Sequence, residues 1–396
     1  MSVMEIDELL QSYKDDGSIC KPEIFDLNTD QNRQRIKELL KQGEIKFVSD
    51  DYEEQLKELF QIDHPTKIFN TDFEKEFKGY LKNLEKEKPF WRHGNWIFYP
   101  WLCNLVHVLP HNDFFRVRTA RNCNLITLAE QKKFYDATIA IAGLSVGSSV
   151  ALALVLQGGP RRIKLADHDK LALSNTNRVM TGINNLGLSK VVTAARYIYL
   201  INPYAEIAIF PDGLTPQNID RFFTDLDLII DEIDNLAVKC LIREEAKKRR
   251  LSVVMAADNG DNAVIDIERY DLDPQPKFFH GRMGEVSYEK LKNLDKMGIG
   301  RLITKHIGPG NVTWRMQQSL LEIGKTIVSW PQLGGAALIN GAAVAYVVRK
   351  IILGELIENN RALISLDEKL VPNYFSEAEV AKHQKATDSF LKIFNL

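Results

Sequence analysis

At 396 residues, against a usual ~100–200 residues per domain, the chain has room for one large domain plus a smaller one or a long accessory region. Hydrophobic residues at 45%, charged residues at 26% and a formal net charge of −2 are ordinary for a globular chain. They give no general electrostatic attraction to nucleic acid or an anionic membrane, so neither is expected as a partner and any phosphate site must be local.

In chain order, the N-terminus MSVMEIDELLQSYKDDGS carries early acids and no apolar core of signal-peptide length, which predicts a cytoplasmic protein. Residues 1–117 read as an accessory α(+β) region. The pieces IKELLKQGEIK, EEQLKELF and EKEFKGYLKNLEKEKP are charged and helical in pattern. The aromatic density of WRHGNWIFYPWLCNLVHVLP predicts burial. No chemical motif stands in this region. Cys20, Cys103, Cys123 and Cys240 lack C-x-x-C spacing, which predicts free thiols rather than a disulfide framework or a four-thiolate zinc site.

From residue 138 the pattern becomes regular. Short β-branched runs, TIAIA, RIKLA, EIAIF, LDLII and SVVMAA, alternate with segments long enough for helices at Ser148–Gln157, Val191–Ile201 and Leu236–Arg250. That alternation predicts an α/β domain over residues 118–360, with a Rossmann-like, doubly wound, mostly parallel sheet and helices on both faces. Pro331–Val348 approaches the length of a membrane span. Its Gly and Ala content, with Pro331, Gln332 and Asn340, predicts a close-packed interior helix instead. Residues 361–396 are charged and polar and read as a tail.

TIAIAGLSVGSSVALAL sets a glycine-containing turn between a strand and a helix, the context in which such a turn binds phosphate. Gly143 is expected to take the tight turn, and Gly147 to let the backbone approach a ligand. Ser145 and Ser148 are expected to add hydroxyl donors. They stand where the dinucleotide fingerprint usually has glycines, so the fingerprint alone leaves an unliganded turn open. Asp167, at the end of RIKLAD, is the expected ribose ligand. Asp169 is a candidate for steadying the following loop.

The subsequent order is LADHD, SNTNR (Ser174–Arg178), GLSK (Gly187–Lys190), INP and DEIDN (Asp231–Asn235). This order resembles the ThiF/MoeB/HesA family, which includes the ubiquitin-activating enzymes and the adenylyltransferases of sulfur-carrier proteins. The resemblance covers about residues 118–270, with a weaker echo in PQLGGAALINGAAVAYVVRKIILGE. It implies that ATP and Mg²⁺ are used to convert a carboxylate to an acyl-adenylate with release of pyrophosphate. The acceptor implied is the C-terminus of a ubiquitin-like or sulfur-carrier protein, or a small carboxylate. Arg178 and Lys190 are then the cations on the triphosphate, a bidentate fork and a point charge. Asp234 resembles the catalytic aspartate that holds Mg²⁺, although Asp234 or Asn235 would serve equally as a helix N-cap. Asn175 resembles the family's site asparagine. In the family an arginine from an R-x-x-R segment enters the partner subunit's site, which implies a homodimer and nominates Arg121, with Arg118 second.

Departures from the family pattern bear on the step after activation. No cysteine lies after Cys240, and Cys240 itself reads as a core residue, so a thioester cycle is not expected. Val179 stands where glutamine is frequent, and Lys239 where arginine is common. Two other classes remain open: an NAD(P)-dependent oxidoreductase, which the strand, glycine turn and Asp167 would equally serve, and a catalytically silent binding module.

Overall fold

The computed structural model describes residues 3–12, 14–273 and 275–394. Two compact units divide the chain: residues up to Gln131 together with Tyr199–Tyr204, and Lys132–Ile198 together with Ala205 onward.

The first unit holds strands β1 (Glu23–Phe25), β2 (Phe47–Asp50), β3 (Asn95–Tyr99) and β4 (Asn104–Val108) in the order β1-β3-β4-β2. The aromatic run of the sequence is β3, with Trp96, Ile97, Phe98 and Tyr99 all buried. Its core gathers Phe25, Leu39, Trp96, Phe98 and Leu105. The helix Asp30–Gln42 forms where Thr29 accepts from the Asn32 N–H and Gly43 leaves at φ 69°, a start and stop that its residues specify. His107 is buried and stacked between Tyr52 and Trp96, its ring nitrogens on Asp50 and the His93 carbonyl. It is a satisfied core histidine.

The second unit holds β5 (Thr138–Ala142), β6 (Arg162–Ala166), β7 (Glu206–Phe210), β8 (Leu228–Asp231), β9 (Ser252–Asn259), β10 (Asn262–Arg269) and β11 (Asn360–Ile364). The order is β11-β10-β9-β8-β5-β6-β7. Pairings from β7 through β9 are parallel, and β10 and β11 join antiparallel. The α/β expectation thus holds, with an antiparallel edge that the sequence pattern did not suggest.

Strand alternation assigns the faces. Ala140, Ala142, Ile229 and Val253 pack with Phe222, Leu241 and Ile242 of one helical layer. Ile141 points the other way, where a Cβ on Gly147 would stand 3.1 Å from its side chain. The helix Gly334–Leu353 lies against the helix Val146–Leu156 so closely that a Cβ on Gly341 would stand 2.6 Å from the Ser149 carbonyl oxygen. This is the apolar segment expected to be interior, and it is long and apolar enough to cross a membrane. It is covered along one face only: Ala337, Asn340, Val344 and Val348 are buried, whereas Leu338 and Tyr346 are exposed. Residues 361–396, read from the sequence as a tail, supply most of β11 and the helix Glu377–Phe394, which packs on Trp314–Glu322.

The chain proceeds from β5 to β6 and β7 on one side, then returns to β8 and β9 on the other. The reversal between β5 and β8 opens a crevice at the carboxyl ends of the strands, where ligands bind in open α/β sheets.

A candidate nucleotide cleft at the carboxyl edge of the sheet

A cleft of ≈580 Å³ occupies that crevice, lined by Gly143, Ser145, Asp167, Asp169, Lys190 and Asp234 among others. Its floor is the glycine turn. Gly143 has φ +87°, and a Cβ there would meet the Glu232 carbonyl oxygen at 2.3 Å, so the turn requires glycine for two independent reasons.

Asp167 pins this turn to β6. One carboxylate oxygen accepts the Leu144 N–H at 2.7 Å and the other the Asp169 N–H at 2.8 Å. Its side chain therefore shapes the cleft from beneath as well as facing it. Asp169 accepts from Lys190 Nζ at 2.8 Å, and that hydrogen bond holds its carboxyl below the usual 3.8. Lys190 is 6% exposed, so its ammonium is fixed in the cleft wall rather than swinging in solvent.

Asn175 sets the loop that presents Arg178. Its Oδ1 accepts the Ala172 N–H at 3.0 Å, and its carbonyl accepts the Arg178 and Val179 N–H groups. Arg178 in turn donates from Nε to Ser145 Oγ at 2.9 Å and from Nη1 to Asn177 Oδ1 at 2.9 Å. The guanidinium is thereby tied to the glycine turn.

The capping question at β8 resolves in favour of Asn235, whose Oδ1 accepts the Val238 N–H at 3.1 Å. Asp234 is exposed at the cleft, and among the described residues no hydrogen bond or ion pair reaches its carboxylate. An oxygen donor of this kind suits a hard divalent cation. Asp167, His168 and Asp169 also bring ligand atoms near one another, but the Lys190 ammonium already stands on Asp169.

Two residues expected at the cleft, Gly147 for close backbone approach and Ser148 as a hydroxyl donor, are placed otherwise. Gly147 is buried between Ile141 and the Glu232 side chain and does not line the cleft, so its lack of a Cβ serves helix-to-strand packing. The Ser148 hydroxyl donates to the Ser145 carbonyl at 2.8 Å, inside its own helix turn. Arg121 is exposed on the turn Ala120–Asn122 of the first unit, and Arg118 is in the helix His111–Thr119 before it.

Sequence reasoning missed two acids. Glu232 lines the cleft and accepts the Ala256 N–H at 2.9 Å; burial pushes its carboxyl well above the usual range, against the pull of Lys239. Asp258, at the end of β9, accepts from Asn340 at 2.5 Å and from Gln332 at 3.1 Å. Burial raises its pKa, and the two amide donors and Arg178 oppose the rise. The signal for Asp258 was present: SVVMAAD ends on an acid at the same sheet edge as LIID.

Residues 119–274 match the ThiF family model. The uncharacterized protein MT1398 of Mycobacterium tuberculosis is 35% identical over 275 residues, 69% of this chain and 38% of that protein. Ubiquitin-like modifier-activating enzyme 5 of Drosophila erecta is 28% identical, covering 37% of this chain and 39% of its own. The tRNA threonylcarbamoyladenosine dehydratase of Escherichia coli is 29% identical, covering 46% and 68%. The chain thus spans about two-fifths of the length of the first two relatives. The stretch that matches the ThiF family model, residues 119–274, contains the glycine turn, Arg178, Lys190 and Asp234.

Proposed function

We propose that the cleft activates a carboxylate with ATP. An anionic substrate oxygen attacks the α-phosphorus, the bond to pyrophosphate breaks, and acyl-AMP forms. The observation that carries this reading is one crevice lined by a glycine turn, the fixed ammonium of Lys190 and the carboxylate of Asp234, which no hydrogen bond or ion pair reaches among the described residues, with the Arg178 guanidinium tied to that turn through Ser145. Phosphoryl chemistry needs charge neutralised on the triphosphate as the leaving group departs, and an oxidoreductase gives those three groups no joint task. Lys190 keeps two ammonium donors beyond its bond to Asp169, and Arg178 keeps part of its fork; these are the phosphate contacts of the reading. Mg²⁺ held by Asp234 would add positive charge beside the phosphates.

The finer assignments belong to the same proposal. The acceptor is the C-terminus of a ubiquitin-like or sulfur-carrier protein, or a small carboxylate. The working form is a cytoplasmic homodimer in which Arg121 of one copy serves the other's site. Supplying ATP, Mg²⁺, labelled pyrophosphate and a panel of carboxylates and Gly-Gly-ending carriers tests the chemistry, with acceptor-dependent exchange as the expected result. Tight NAD binding without ATP binding would overturn it. Mixing Arg121→Ala with Asp234→Ala chains is expected to restore part of the activity if sites are shared; no recovery refutes the composite site.

A further inference from the structure

Asp258, near the end of β9, is buried, and each of its carboxylate oxygens accepts one side-chain amide: Asn340 Nδ2 at 2.5 Å and Gln332 Nε2 at 3.1 Å. Both amides come from the stretch 331–353, outside the residues that match the family model. The stretch has a rigid hold on the sheet. Asn340 is fully buried, and its neighbour Gly341 lies against the Ser149 carbonyl of the helix that follows the glycine turn. Buried polar groups satisfied in this way fix the chains that carry them.

The stretch so held reaches the loop that presents Arg178. The Gln332 carbonyl accepts from Asn177 Nδ2 at 2.8 Å. Gly334 lies so close to the Asn177 carbonyl that a Cβ would collide with it, and that Cβ would stand 3.8 Å from Arg178 Cα. Asn177 Oδ1 then accepts from Arg178 Nη1 at 2.9 Å, while Arg178 Nε donates to Ser145 Oγ at 2.9 Å. Other bonds of the loop stay inside it: Arg178 Nη1 donates to the Ser174 carbonyl at 3.2 Å, and Asn175 Oδ1 accepts the Ala172 N–H. Among the described residues, two hydrogen bonds therefore tie Ser174–Arg178 to the rest of the unit, Arg178 to Ser145 and Asn177 to Gln332. Only the second leaves the guanidinium out of the tie.

Resting on the adenylation reading, we propose that Asp258 is a positioning residue for Arg178: it holds Gln332, whose carbonyl holds Asn177, which holds the guanidinium where the triphosphate lies. A donor ordered in advance binds more tightly than one that must be ordered by its ligand. The working site then extends past residues 119–274 to the start of the helix Gly334–Leu353.

Binding of ATP and of AMP to the full chain, each with Mg²⁺, tests this by calorimetry, because AMP lacks the two outer phosphates on which a misplaced Arg178 would be felt. Arg178→Ala is expected to weaken ATP about thirtyfold, and Asp258→Asn and Gln332→Met about fivefold each, with AMP affinity unchanged in all three. In a chain already carrying Arg178→Ala, Gln332→Met is expected to cost ATP binding nothing further, because losses that act through one group do not add. Gln332 is half-buried, so Gln332→Met decides the matter even where Asp258→Asn fails to fold. A purely structural role would weaken both nucleotides together or multiply the two losses, and either result overturns the proposal. Wild-type ATP affinity in Gln332→Met or in Arg178→Ala overturns it equally. A wild-type chain that binds no ATP would instead overturn the adenylation reading.

Discussion

Asp231 and Asp234 are one helical-turn length apart in sequence and lead opposite lives. Asp231 ends β8 and is fully buried; its oxygens pair with Arg243 at 2.5 Å and Lys239 at 3.3 Å. Arg243 is equally buried, pairs with Glu268 at 2.6 Å and lies 3.8 Å from the centroid of Phe279. Asp234 is exposed in the cleft, and among the described residues no hydrogen bond or ion pair reaches its carboxylate. The contrast lies within one strand end and the turn after it: charge inside the unit is neutralised by fixed partners, and the charge at the edge has none among the described residues.

The largest expected effect is on the buried side. Arg243→Leu removes the cation between Asp231 and Glu268, and stranding a buried charge typically costs about 3–5 kcal/mol. A lowered thermal midpoint checks this, and a near-native one would break the contrast. On the edge the effect should be kinetic. Asp234→Asn and Arg178→Ala are each expected to reduce acceptor-dependent pyrophosphate exchange by ~10²–10³; melting should stay close to wild type for exposed Asp234→Asn, whereas half-buried Arg178→Ala, which also loses the bonds to Ser145 and Asn177, should lower it somewhat. Lys190→Ala should slow exchange similarly, with some added instability from its buried position beside Asp169.

Asp167 is the intermediate case and sharpens the comparison. Asp167→Ala leaves the Leu144 and Asp169 N–H groups without their acceptor, at about 1–3 kcal/mol for a buried donor, and should weaken ATP binding as well. A loss confined to either readout would place Asp167 on one side only. Smaller still is the acid dependence of Asp231. Burial alone would raise its pKa, but Lys239 and Arg243 more than offset that and hold it below 3.8. Its ionised form stabilises the fold above the unfolded value, and the contribution disappears as pH falls through the lower folded value. Denaturant midpoints between about pH 6 and pH 3 should therefore fall less steeply in Asp231→Asn than in wild type. The mildest test is chemical. Burial pushes the Cys240 thiol up to about 12, so maleimide should label exposed Cys123 and spare Cys240 in the native protein.

The parallel strands were legible because each is a short apolar run, buried throughout in β5 and β8 and half-covered in β7 at the edge, and LADHD and DEIDN were legible because each ends a strand and enters the loop after it. Helix starts were less so: both Asp234 and Asn235 are competent caps, and only the folded geometry distinguishes the one that caps. The hairpin β9–β10 carried a usable sign, Gly260-Asp261 between two apolar runs, yet its first strand reads equally well as the end of the parallel series. Gly147 was misjudged because a glycine permits close approach by a ligand or by a neighbouring strand equally well, and sequence does not say which. The sheet of the first unit was hidden for a different reason. Its β2 is exposed at every position and β1 is three residues long, so neither shows alternation.

The strand β11 gives the carboxyl-terminal stretch a bearing on solubility. It closes β10 along Ala263–Ile267, and its Arg361 brings a guanidinium within 3.9 Å of buried Asp266 while gripping the His306 and Ile307 carbonyls. A chain trimmed before Asn360 would open the edge of a strand that is buried at every position and bare a buried acid in one cut. Edges of that kind recruit other chains, so shortened versions made for convenience would report on self-association rather than on the cleft.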